Sequence, residues 1–66
     1  MLITVNGEPR EVSEDLGLLG LMEEIGVKPE ITAVQRNDEI IDRKAIRSTP
    51  LADGDAVELI RIVGGG

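Results

Sequence analysis

One stretch of this chain carries a sustained helical period. Leu18, Leu21, Met22 and Ile25 stand at i, i+3, i+4 and i+7, which places four apolar side chains on one face of a helix of about two and a half turns. Gly17 is a tolerable N-cap, Leu16 can staple onto Leu21, Gly26 is a left-handed stop, and Pro29 bars continuation. Gly20, inside the helix, costs roughly 1 kcal/mol relative to Ala, which either an exposed position or close packing would explain. Met22 reads as core filler. A lone amphipathic helix must bury its stripe against something else, and the rest of the chain has to be the sheet that covers it.

That remainder reads as strands. Met1 to Val5 is β-rich and runs into Asn6-Gly7, a strong hairpin signal because both positions tolerate positive φ. A shorter strand is expected through Arg10, Glu11 and Val12, and Pro9 near its start marks it as an edge strand. Ile31 to Arg36 is strand-like again, Asn37-Asp38 turns the chain, and Glu39, Ile40 and Ile41 return, so a second hairpin is expected. Asp42 to Ile46 can make one helical or 3₁₀ turn before Ser48-Thr49-Pro50 leads into Leu51. Asp53-Gly54-Asp55 reads as a turn, since a Ca²⁺ loop needs more oxygen ligands in a longer loop. The final strand is expected over 57–63. Two hairpins and one helix predict an α+β fold in which a mixed sheet of four to five strands wraps the helix. The last strand then lies centrally, beside and parallel to the first.

Composition narrows the function. The chain has 66 residues, no Cys and no His, so it forms one thin core without disulfides and lacks both thiolate chemistry and the commonest metal ligand and general base. No metal site and no catalytic group are expected, which argues against an enzyme. With no Phe, Trp or Tyr, the core is aliphatic. Thirteen acidic residues against seven basic give a net charge of -6, which opposes binding to nucleic acid or anionic membranes and suits basic-surfaced partners. No leader and no spanning apolar run are read in it, so a cytoplasmic protein is expected, and a single small domain of this kind is expected to be monomeric by itself. Charges such as Glu39 and Arg36 read as a solvated face.

The last residues, Gly64, Gly65 and Gly66, follow the final strand directly. A bare backbone ending in a carboxylate can thread into a partner's channel, or it can simply fray as termini do. Strand alternation with Val57 and Leu59 toward the helix puts Glu58, Ile60 and Ile62 on the opposite face, where no second helix covers them. They are candidate docking residues. The alternative is a parity reversal through a bulge, with the isoleucines in the core and Arg61 outside.

The strand-turn-helix-strand order, the run from Asp53 to Leu59, Ala33-Val34 followed by Asn37, and the ending Ile62-Val63-Gly64-Gly65-Gly66 resemble the ThiS family of sulfur carriers in thiamine biosynthesis, which are ubiquitin-like β-grasp proteins. The resemblance covers the whole chain and departs at Gly64 and in the lack of aromatics. It implies a β-grasp domain over 1–63, a flexible glycine tail over 64–66, and a Gly66 carboxylate that is adenylated and then converted to a thiocarboxylate, with Gly64 and Gly65 giving access. It implies a ubiquitin-activating-type (ThiF-like) adenylyltransferase that uses ATP and Mg²⁺, a sulfur donor such as a cysteine desulfurase, and a ThiG-like thiazole synthase that receives the sulfur. No cofactor is expected on the chain itself. Related carriers serve molybdopterin synthase and other thiolation pathways, and a protein modifier or a simple interaction domain is the reading from another class.

Overall fold

The structure, a computed structural model, describes residues 1–62. The elements are β1 (Leu2–Val5), β2 (Glu8–Glu11), the helix α1 (Leu18–Ile25), a 3₁₀ turn (Pro29–Ile31), β3 (Thr32–Arg36), β4 (Glu39–Ile41), a second 3₁₀ segment (Arg43–Ser48) and β5 (Ala56–Arg61). The strands form one five-stranded sheet in the order β2-β1-β5-β3-β4. β5 is therefore central, parallel to β1 and antiparallel to β3, and one sheet with one helix is the β-grasp arrangement expected. The extension of the last strand through Val63, the domain boundary after residue 63 and the glycine tail over 64–66 lie outside the described residues.

Turn chemistry explains the two hairpins. Asn6 and Gly7 take φ of 51° and 83°, and Asn37 and Asp38 take 53° and 68°, the paired positive values that a two-residue hairpin connection requires. Pairing consequently resumes at once, with Val5 opposite Glu8. The second strand thus starts two residues earlier than the expected Arg10, and Pro9 falls within it on the outer edge of the sheet. Val12 leaves the strand but still donates its N–H to the Met1 carbonyl at 2.9 Å and buries its side chain. Likewise Ile31 belongs to the 3₁₀ turn begun by Pro29 and not to β3.

The core lies between the inner face of the sheet and α1. Ile3, Leu18, Leu21, Met22, Val34 and Val57 are its most deeply buried large side chains. Ile46 and Leu51 close one side, brought in by the second 3₁₀ segment, whose start is capped by Asp42 accepting from the Lys44 N–H at 2.8 Å. Ile25, expected on the buried stripe, is instead 36% exposed. It stands on the last turn of α1, where Gly26 at φ 91° reverses the chain and Val27 folds back against the core in its place. Gly20 is packed close to Leu16, because a Cβ on that glycine would stand 2.7 Å from Leu16 Cδ1, a side-chain end that would have to shift. Of the two explanations, close packing is the one the structure favours.

Candidate functional site

Every neighbouring element contributes to holding β5. Along β3 it pairs over five residues, Arg36 opposite Val57 through Thr32 opposite Arg61. Along β1 it pairs over only two, Thr4 opposite Ala56 and Val5 opposite Val57, because β1 ends at the hairpin. Beyond that point the side chain of Asn6 replaces the missing strand. Its Oδ1 accepts from the Leu59 N–H at 2.8 Å and its Nδ2 donates to the Leu59 carbonyl at 3.3 Å.

The other turn asparagine secures the beginning of the strand. Asn37 donates its backbone N–H to the Ala56 carbonyl at 2.8 Å, while its Oδ1 accepts from the Ala56 N–H at 2.9 Å. Asn37 Nδ2 also donates to Asp55 at 3.0 Å, and the same carboxylate accepts from Arg36 Nε at 2.7 Å and from the Ala52 N–H at 2.8 Å. Arg36 is thus paired with Asp55 rather than sharing a solvated face with Glu39, since Asp55 lies buried at 5% exposure and offers the stronger partner. Burial acts to raise the Asp55 carboxyl, but the hydrogen bonds from Asn37, Ala52 and Arg36, together with the Arg36 charge, prevail and hold it below its ordinary value. Its sequence neighbour Asp53 points elsewhere and accepts from the Leu2 N–H at 2.7 Å. Both carboxylates of the turn are therefore structural.

With the strand so held, alternate side chains face opposite ways. Val57 is buried and Leu59 half-buried against the core, whereas Glu58, Ile60 and Ile62 are exposed, the isoleucines at 51% and 49%. No bulge reverses the parity. Ile60 lies opposite Ala33, Glu58 opposite Gln35, and Gln35 in turn opposite Ile40, which is 79% exposed. Past the strand the Ile62 N–H donates to the Ile31 carbonyl at 2.7 Å. A shallow groove of about 470 Å³ then brings Ala33, Ile40 and Ile62 together with Arg43 and Lys44 at its rim. The three docking candidates are thus assembled on one apolar outer face. Gly64, Gly65 and Gly66 lie outside the described residues.

Sequence reasoning found the face but missed what supports it. Asn6 and Asn37 read only as turn residues, and nothing in their spacing announces side chains that reach a strand far along the chain. Ile40 was legible as a strand residue, but its placement beside the β5 isoleucines depends on sheet order. Among the described residues no group of three or more His, Cys, Asp or Glu side chains is placed to hold a metal ion. No helix there is long and apolar enough to cross a membrane.

Comparison with known proteins gives the same architecture a lineage. The model of the ThiS family matches residues 3–66. The sulfur carrier protein ThiS of Thermus thermophilus is 37% identical over 65 residues, covering 98% of this chain and 100% of that one. A crystal structure of the thiamine biosynthesis protein ThiS from Geobacter metallireducens superposes with a TM-score of 0.86 at 39% identity, covering both chains fully. A thiazole synthase of Paramagnetospirillum magneticum is 35% identical over 66 residues, all of this chain but 20% of that enzyme, so the chain spans about one-fifth of the length of such relatives. A family match along nearly the whole sequence, joined to a shared fold with a central β5, establishes that the chain belongs to the ThiS family of sulfur carriers.

Proposed function

We propose that this chain carries sulfur on the carboxylate of Gly66 for construction of the thiazole ring of thiamine. The observation that carries the reading is the central placement of β5, because the strand that leads in sequence to Gly64-Gly65-Gly66 is paired on both sides and tied further by Asn6 and Asn37.

The chemistry follows from what the chain lacks. A carboxylate is a poor electrophile at carbon, so a Gly66 oxygen first attacks the α-phosphorus of ATP and pyrophosphate leaves. A sulfur nucleophile then adds to the carbonyl carbon of the acyl-adenylate and expels AMP; a sulfide gives the thiocarboxylate directly, whereas a persulfide gives an acyl disulfide whose S–S bond a thiol reductant then cleaves to free it. The chain has neither the Cys nor the His to drive either step. The adenylyltransferase supplies ATP, Mg²⁺ and the catalytic groups, and a donor such as a cysteine desulfurase supplies sulfur. The chain itself is a co-substrate, a cytoplasmic monomer that meets its enzymes transiently. Gly64 and Gly65 give backbone access to a narrow channel.

Docking is assigned to Glu58, Ile60 and Ile62, where two exposed isoleucines are covered by no other described element. The thiazole synthase is the favoured recipient because a segment similar to this whole chain forms part of thiazole synthase relatives.

The test is intact-mass measurement on the chain, with its native C-terminus, recovered from cells producing the cognate adenylyltransferase and a sulfur source. A gain equal to the replacement of one oxygen by sulfur, abolished by deleting Gly66, is expected. An unchanged mass beside a second carrier that is loaded by the same enzyme would overturn the reading, and isopeptide conjugates to lysine would make the chain a protein modifier. Transfer of the sulfur to purified thiazole synthase, and not to the large subunit of molybdopterin synthase, is the outcome expected for the pathway.

A further inference from the structure

The charges of this acidic chain are segregated. Three grooves surround the end of the molecule at which β5 finishes. The first, about 270 Å³, contains Lys28 and Arg61 over Leu59 and Val27. The second contains Arg43 and Lys44 beside Ile62. The third, about 200 Å³, shares Arg43 with the second and adds Arg47. Five of the seven basic side chains therefore line these three grooves, whose acidic lining residues are Glu30 and Asp42. Asp42 is already engaged as the cap of the 3₁₀ segment.

The two remaining basic residues are both paired, Arg10 with Glu24 and Arg36 with Asp55. Among the described residues, Lys28, Arg43, Lys44, Arg47 and Arg61 make no ion pair. The fold thus neutralises cations where acids are abundant and leaves an open cationic rim beside the exposed isoleucines. The other eleven acidic and two basic residues do not line these grooves, and of them Glu58 stands on the outer face two residues from Ile60. Toward a carboxylate-rich surface such a rim is attractive, while the net charge of the chain is repelled.

We propose that this rim docks onto a carboxylate-bearing surface around the tail-accepting cleft of the adenylyltransferase, and that it orients the carrier as it arrives. The inference rests on the carrier reading above and adds the chemistry of the partner's surface. The apolar face supplies contact, while the rim supplies direction and association rate. A chain of net charge -6 that must bring a carboxylate up to ATP gains from presenting its one cationic end first.

The test is stopped-flow association of the full chain with its adenylyltransferase across a salt series, with intact-mass loading measured in parallel. The variants are Arg43→Glu with Lys44→Glu, the milder Arg43→Gln with Lys44→Gln, and Arg10→Glu as the control, each checked for native fold by NMR. Charge reversal is expected to slow association about tenfold at low salt. Neutralisation should slow it less, and the control should leave it unchanged. The differences should largely vanish near ~0.5 M NaCl, where screening is short-ranged. A wild-type chain that is loaded with sulfur while both rim variants associate at its rate, with its salt slope, overturns the rim and spares the carrier function. A wild-type chain neither bound nor loaded overturns both. Rim variants that lose retention on a DNA duplex but associate normally with the enzyme would replace the acidic protein surface with a polyphosphate, and would equally overturn the proposal.

Discussion

Asn6 and Asn37 occupy the left-handed region at φ of 51° and 53°, where their short polar side chains can double as backbone. Asn37 completes the pairing of Ala56, and Asn6 continues past the end of β1 to satisfy both polar groups of Leu59. Each hairpin thereby closes its own turn and ties the central strand. Asp55 concentrates the same logic, because three donors converge on one buried carboxylate. Its carboxyl lies below the ordinary value in the folded chain, so the folded state favours the ionised form. That contribution is complete above the unfolded carboxylate value and is lost as pH falls through the lowered folded one. Asp55→Asn should therefore cost about 2 kcal/mol near neutral pH, as expected for losing charge-assisted hydrogen bonds. It should also flatten the acid limb of the stability curve. Urea titrations of both proteins from about pH 6 down to about pH 2 check this. A variant whose midpoint falls with acid as steeply as that of wild type would show that another group governs the acid limb.

At the level of elements, α1 is held to the sheet by a short stripe and is capped by Gly26 at its C-terminus, with no side-chain cap at Gly17. The contact between Leu16 and Gly20 is its most constrained point. Replacing Gly20 by Ala should gain about 1 kcal/mol of helix propensity, yet the new Cβ would meet Leu16 Cδ1 at 2.7 Å and push that leucine off its seat. The two effects oppose, and Gly20→Ala alone should be near neutral. In a Leu16→Ala background the obstruction is gone, and the same substitution should stabilise by about 1 kcal/mol. A double-mutant cycle by thermal or urea unfolding measures the difference, and equal effects in both backgrounds would refute the steric reason. The helix, both hairpins and the central last strand were legible beforehand, since apolar period and Asn-containing turns are local signals. Strand limits were less so. β2 starts at Glu8 because the two-residue turn sets pairing immediately, and Ile31 is lost to a 3₁₀ turn after Pro29. Ile25 shows why periodicity overcounts at a terminus, where Val27, out of period, packs half-buried against the core instead. The outer-face isoleucines could be read from alternation alone. The cationic rim could not, because Lys28, Arg43, Lys44, Arg47 and Arg61 are brought together only by the closure of the sheet around the helix.

For the whole molecule, stability and partner recognition are divided between the two faces of one strand. Val57 faces inward at 1% exposure, and its neighbours on the inner face are the helix and the core. Ile60, which follows the inward-facing Leu59 and pairs with Ala33, is half exposed and contributes little to that core. Truncation of Ile60 to Ala should then cost the fold at most about 1 kcal/mol, the span of strand propensity at an open position. If the outer face is a docking surface, the same truncation removes apolar area that the partner buries, and affinity for the adenylyltransferase should fall about tenfold, or about 1.4 kcal/mol. Paired urea unfolding and calorimetric binding, on the same protein preparation, separate the two quantities. A stability loss well above about 1 kcal/mol with unaltered affinity would return Ile60 to a structural role. The opposite pattern, binding lost and fold retained, would assign the outer face of β5 to the partner and leave its inner face to the core, so that one strand carries both functions without compromise between them.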